Sequence, residues 1–132
     1  VMGGNMESAV MDAPGNYDMT YAENLPFNLL IPADQIANVD QVASMIHAMN
    51  ANTFTCGAFH LKGVDAAAFA DTMQAAVQGN MWMCGFPEEL LVMTVGEYVI
   101  SAFGAKDLLD VFEANTLKAY DMMKVAYREP IA

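Results

Sequence analysis

The sequence predicts an α+β domain of βαββαβ form, a two-layer split βαβ sandwich of the ferredoxin-like kind, with an additional N-terminal helix. Two strand-turn-helix units of similar pattern lie between Thr53 and Glu129. A hairpin joins them and a last alternating strand closes the run, which is how two right-handed crossovers interleave in one antiparallel sheet. Phe59 to Asp71 and Ile100 to Phe112 form a weak internal repeat of strand, glycine, acidic helix start and apolar helix face. In a sandwich of this kind both helices share one face.

Taken in order, the first two dozen residues are rich in Gly, Asn and Met, with Pro14 followed by Gly15, and have no hydrophobic period. Residues 1–24 are expected to be a flexible leader or tether, and 25–132 a single domain. Phe27 to Ile31, between Pro26 and Pro32, is expected to be extended. From Val39 to Asn50 the residues Val39, Val42, Ala43, Ile46 and Met49 recur at helical spacing, behind Asn38 and Gln41 placed like a capping box. That spacing predicts an amphipathic helix.

Thr53 to Leu61 reads as a strand with Phe54, Cys56 and Ala58 on one face and Phe59 and Leu61 on the other. After Gly63, Asp65 can cap a helix to about Gln78 with the stripe Phe69, Met73, Ala76 and Val77, ended by Gly79 and Asn80. Leu90 to Val95 is an unbroken apolar strand, Gly96 turns the chain and Tyr98 to Phe103 returns. Gly104 breaks that strand before a helix from Lys106 to Ala119 that groups Leu108, Val111 and Phe112. Finally Met123, Val125 and Tyr127 alternate with Lys124, Ala126 and Arg128, the pattern of a sheet strand. Leu90 to Val95 is too apolar on both sides to stand in water, so the helix at Val39 to Asn50, or a partner protein, is expected to cover part of the sheet's second face.

Composition bounds the function. A chain of 132 residues fits one domain and can bury roughly two thirds of its unfolded surface without metal or disulfide staples. Its apolar runs fall far short of the ~18 residues of a membrane helix. Because the sequence begins at Val1, a fragment or processed product is expected. The 16 acidic residues outnumber the 5 basic ones, Lys62, Lys106, Lys118, Lys124 and Arg128, giving a formal charge of −11. Scattered cations on an acidic chain disfavour nucleic acid and anionic membranes as partners. The acidity itself suits a solvated surface.

The candidate chemistry is thin. Cys56 and Cys84 are the only thiols, which excludes a four-cysteine cluster and leaves one disulfide or two buried thiols. Met81, Met83 and Cys84 surround Trp82 and offer soft ligands for Cu(I), although Met45, Met49 and Met73 show methionine filling apolar stripes here. His47 and His60 lack a second ligand at helical spacing, so no zinc site is expected. Glu88 and Glu89 point apart on a strand and are expected to be solvated. Ser8, Ser44 and Ser101 lie in no nucleophile elbow, and Gly104-Ala105-Lys106-Asp107 lacks the earlier glycine and the hydroxyl of a phosphate loop. No catalytic, cofactor-binding or metal residue is assigned, and no cofactor is expected.

The hairpin Leu91-Val92-Met93-Thr94-Val95-Gly96-Glu97-Tyr98-Val99-Ile100, followed by a helix near Asp107, resembles a family of small bacterial extracytoplasmic lipoprotein domains of unknown function. The resemblance covers about Phe54 to Leu117. It implies a place outside the cytoplasm, secreted or on a lipid-anchored tether, although the lipidated cysteine of an anchored protein is not in this sequence. It brings no catalytic residues. The expected function is therefore a noncatalytic binding or protein-interaction module, with an unidentified protein or small ligand at the cell envelope as partner. The alternatives are a small-ligand or copper carrier and an enzyme whose site is assembled from distant residues. Self-association through a sheet face or the edge near Tyr127 is a further expectation.

Overall fold

The structure, a computed structural model, describes residues 2–4, 9–11, 13–47, 53–80 and 87–131. The short strands β1 (Met2–Gly3), β2 (Val10–Met11) and β3 (Gly15–Asn16) come first, then a 3-10 segment, Met19–Asn24, and the single turn α1 (Leu25–Asn28). A second 3-10 segment, Ala33–Asn38, leads into β4 (Val39–Ile46). The body follows as β5 (Phe54–Leu61), α2 (Ala66–Gln78), β6 (Glu89–Val95), β7 (Tyr98–Gly104), α3 (Lys106–Ala119) and β8 (Lys124–Pro130). The fold is α+β, with one antiparallel eight-stranded sheet in the order β2-β1-β4-β5-β7-β6-β8 and β3 paired to β4.

Local chemistry sets the ends of the body elements. The Asp65 side chain accepts the Ala68 N–H at 3.2 Å and starts α2, and the Gly79 N–H closes it on the Ala75 carbonyl. The β6–β7 turn is the two-residue loop Gly96-Glu97, with φ +55° at Gly96 alone, the II′ pattern that matches strand twist. Helix α3 has no capping side chain of its own, because Ala105 stands at that position. Glu88 supplies the cap from outside, accepting the Lys106 N–H at 3.0 Å.

The helix expected over Val39–Asn50 is instead the strand β4, as far as the described residues reach; 48–50 lie outside them. A β-bulge explains the misleading spacing. Val39 faces Leu61 and Gln41 faces His60, so β4 carries an extra residue at Asp40 and its alternation changes phase. Val39 and Val42 thus lie on one buried face three positions apart, as they would on a helix. Beyond the bulge, Val42 and Ser44 are buried on the same face and strand alternation resumes.

The strand order also departs from the ferredoxin-like expectation, in which β8 would lie beside β5. Strand β4 occupies that edge, and β8 pairs with the far edge of β6. The two interleaved crossovers survive: β5 and β6 run parallel around β7, and β7 and β8 run parallel around β6. Both crossovers step the same way along the sheet from strands of opposite direction, so right-handedness puts their helices on opposite faces. Helix α2 packs into one core with Phe59, Val92 and Phe103, and α3 into another with Leu91, Met93 and Ala102. The result is three layers, not the expected two-layer sandwich, and the two helices themselves cover both faces of Leu90–Val95.

Phe27–Ile31 is likewise not wholly extended, since α1 takes in residues 25–28 and Leu30 adopts φ +61°. Within residues 1–24, read as a tether, the described residues place three short strands in the sheet and Tyr17 in the α2-side core. Leu25, Leu29 and Ile31 join Tyr17 there, filling the space beside α2. Among the described residues the α3-side core includes none before Met45, Pro14 lining a cavity there instead, and this asymmetry creates the candidate site.

Candidate functional site

On the α3 side the chain leaves a furrow. Helix α3 sits over β6 and β7 and anchors there through Leu109, which is fully buried, with Phe112 and Leu117 partly buried. Leu108 and Val111, expected in the core stripe, are exposed instead and form the furrow's upper wall. Strands β4 and β5 extend past the helix and form the floor. Along β5 the floor residues are Phe54, Cys56, Ala58 and His60, every second position, spanning roughly 20 Å. Register places Met45 beside Cys56 and Ala43 beside Ala58, with Ile100 on the far side of Ala58. The small side chains at Ala43 and Ala58 make the depression, because an ordinary β-branched or aromatic strand pair would fill it.

Three adjoining cavities occupy the furrow. The middle one, about 200 Å³, lies over Ala43, Cys56, Ala58 and Ile100, with Thr116 and Tyr120 of the α3 end as its wall. A second, about 440 Å³, lies over Phe54 and His47 beneath Leu108 and Val111. Met45 and Phe112 line both and form the partition between them. Phe112 is held by an edge-to-face contact with Phe54, ring centres 5.5 Å apart. Met45 is an unbranched side chain that can turn aside. A third cavity, about 120 Å³, shares Ala43 and Ala58 with the middle one and ends at Gln41, His60 and Tyr98.

The polar end is a three-residue cluster. His60 Nδ1 lies 2.5 Å from an Asp40 carboxylate oxygen and Nε2 lies 3.1 Å from Glu97, while Tyr98 packs on the ring at 4.8 Å. The bulge aims Asp40 at His60, and the β6–β7 turn brings Glu97 from the other side. The hydrogen bond to Asp40 is the main cause that raises the His60 pKa above 6.5. With both ring nitrogens engaged by carboxylates, His60 serves as a charged clasp between β4, β5 and the turn, not as a free base. Its folded pKa is raised, so its contribution to stability is complete below the ordinary value and disappears as pH rises through the folded value. We expect the melting temperature of the wild type to fall toward that of His60→Gln as pH rises above 6.5 and through the raised folded value. An NMR titration of the ring midpoint at or below 6.5 would overturn this assignment.

The remaining singled-out residues take structural places. Cys56 is a free thiol, 6% exposed, and burial pushes its pKa up to about 12, which leaves it protonated and poorly nucleophilic. Cys84, Met81 and Met83 lie outside the described residues, as does the copper assignment that depends on them, whereas the free Cys56 is the buried-thiol alternative and not the disulfide. Glu88 and Glu89 point apart as expected but are not merely solvated: one caps α3, and the other accepts from Arg128 Nε at 2.9 Å. Arg128 also reaches Asp110 at 2.7 Å and Glu113 at 3.2 Å, tying α3 to β8. Ser44 is buried and bonded to Gly4, Ser101 is buried in β7, and Lys106 pairs with Asp110. Among the described residues no cluster of three or more ligands fit to hold a metal is found.

No protein-family model matches the chain, and no curated protein or solved structure matches it either. No helix among the described residues is long and apolar enough to cross a membrane.

Sequence reasoning identified His60 and Cys56 as residues to weigh, but missed Asp40, Glu97, Ala43, Ala58 and Tyr98 as parts of one site. The facing pair Ala43 and Ala58, with Cys56 beside them, was the available signal. Nothing local links Asp40 to Glu97.

Proposed function

We propose that the protein is a noncatalytic binding module whose α3-side furrow receives an apolar ligand. The observation that carries this is the open trough over Ala43, Cys56 and Ala58, walled by Phe112, Thr116 and Tyr120, which offers apolar surface and no reactive pair. Its middle and outer cavities together fall within the ~300–1,000 Å³ of ordinary ligand sites. The cluster of titratable groups at the furrow's end, His60 with Asp40 and Glu97, has its ring nitrogens occupied, which favours binding over catalysis. A place at the cell envelope, secreted or tethered, is part of the proposal and is supported by the resemblance of the Leu91–Ile100 hairpin.

A neutral, environment-sensitive dye such as Nile red is the test. The wild type is expected to enhance its fluorescence saturably at micromolar concentrations. Ala58→Phe, which fills the floor, and Thr116→Trp, which narrows the mouth from the wall, are each expected to weaken binding at least tenfold with little change in thermal melting. Undiminished dye binding by both folded variants would refute the furrow as the site.

A further inference from the structure

The furrow is apolar along its length and acidic at one end, and we propose that its ligand is a single-chain amphiphile with a cationic head, the chain lying along β5 and the head beside Asp40 and Glu97. This rests on the furrow being a binding site and adds the ligand's class. Length is the first argument. The three cavities follow one another from Phe54 to His60, and Met45 is the one flexible side chain in the partition between the two larger ones. An elongated chain fits such a trough better than a compact ring system does.

Charge is the second argument. No Lys or Arg is among the residues lining the three cavities. The His60 end carries two carboxylates against one imidazolium, leaving a net negative mouth, and Glu97 is mostly exposed, its side chain 75% accessible. The half-exposed Tyr98 ring next to it presents an aromatic surface of the kind that attracts ammonium groups. The whole chain, at −11, adds a field that repels an anionic head. A fatty carboxylate would thus meet an apolar floor it fits and a mouth that opposes its charge.

Calorimetric titration with dodecyltrimethylammonium and with laurate, both below micelle formation, tests the assignment because the two share a chain and differ in head. The ammonium is expected to bind at least tenfold tighter, and added salt is expected to shrink that preference without abolishing chain binding. Asp40→Asn with Glu97→Gln should remove the preference. Glu23→Gln with Asp34→Asn, which makes the same change in net charge at exposed positions lining none of the three cavities, should preserve it. Ala58→Phe and Thr116→Trp should weaken both ligands.

Equal binding of the two heads, or a preference lost equally in both charge-matched double variants, would overturn the cationic assignment and leave the apolar furrow standing. Binding of neither amphiphile, together with no dye enhancement, would bring down the furrow reading as well. If the wild type proves to be a dimer by light scattering, Ala58→Phe a monomer, and no amphiphile binds, the occupant is a second copy of this chain and the proposal fails.

Discussion

Phe59→Ala is expected to destabilise the protein by about 3–5 kcal/mol, the range for deleting a fully buried aromatic side chain. Phe59 is 0% exposed at the middle of β5 and packs against Phe69 of α2 with ring centres 5.7 Å apart. Its ring also lies over Gly57, where an added Cβ would come within 2.9 Å of it and within 3.2 Å of Leu29. One side chain thus joins the sheet, α2 and the N-terminal segment, and its loss leaves a cavity that three separate elements would have to close. For a domain with an ordinary stability of about 5–15 kcal/mol, a large share of the total is at stake. Urea denaturation followed by far-UV circular dichroism should show a lower midpoint at unchanged slope. A loss under about 1 kcal/mol would mean that the α2-side core is much looser than its burial implies.

Those same contacts explain what could be read in the sequence. The body from Phe54 onward was legible because its signals are local: Asp65 caps α2, Gly96 turns the hairpin, and the strands are continuous in apolar character. Helix α3 was placed with both its ends, yet its inward face was not. Leu108, Val111 and Phe112 form the most apolar group on the helix, but Leu109 is the residue the sheet takes in. Choosing between adjacent faces depends on where β6 and β7 lie beneath the helix, which is tertiary information.

Val39–Ile46 failed for a different reason. One inserted residue, Asp40, shifted a two-residue alternation into a three-residue spacing that a helix would also produce. That error propagated to topology, because an unrecognised strand beside β5 leaves its edge open for β8 on paper. It also hid the site. The furrow floor is half β4, and the bulge that disguised the strand is the device that turns Asp40 toward His60.

Gly104→Ala is expected to have an effect comparable to Phe59→Ala by a backbone route. Gly104 has φ +154°, a conformation that L side chains rarely adopt, and an added Cβ would stand 2.3 Å from the Thr53 carbonyl oxygen and 2.8 Å from the Phe54 Cα. These are main-chain atoms, so no rotamer change relieves the collision. The strand ends of β5 and β7 would have to part where Gly104 pairs with both Phe54 and Glu89. Two hydrogen bonds depend on that corner, from the Glu88 N–H to the Gly104 carbonyl at 3.0 Å and from the Ala105 N–H to the Thr53 carbonyl at 2.9 Å. Strain and overpacking of this kind each cost about 1–3 kcal/mol, so a combined loss of about 2–6 kcal/mol and a melting temperature lower by roughly 10 °C or more are expected.

Gly96→Ala is the control that separates conformation from collision. Gly96 has φ +55° and nothing within 4 Å of its would-be Cβ, so only the left-handed backbone is penalised, at about 1 kcal/mol. Scanning calorimetry should therefore rank Gly104→Ala well below Gly96→Ala. Because α3 starts two residues after Gly104 and Phe54 floors the outer cavity, the first substitution should also weaken dye binding in the furrow and the second should not. Equal melting temperatures for the two variants would show that β5 and β7 can separate at this end at little cost, and that Gly104 is not what fixes the α3 side of the molecule in place.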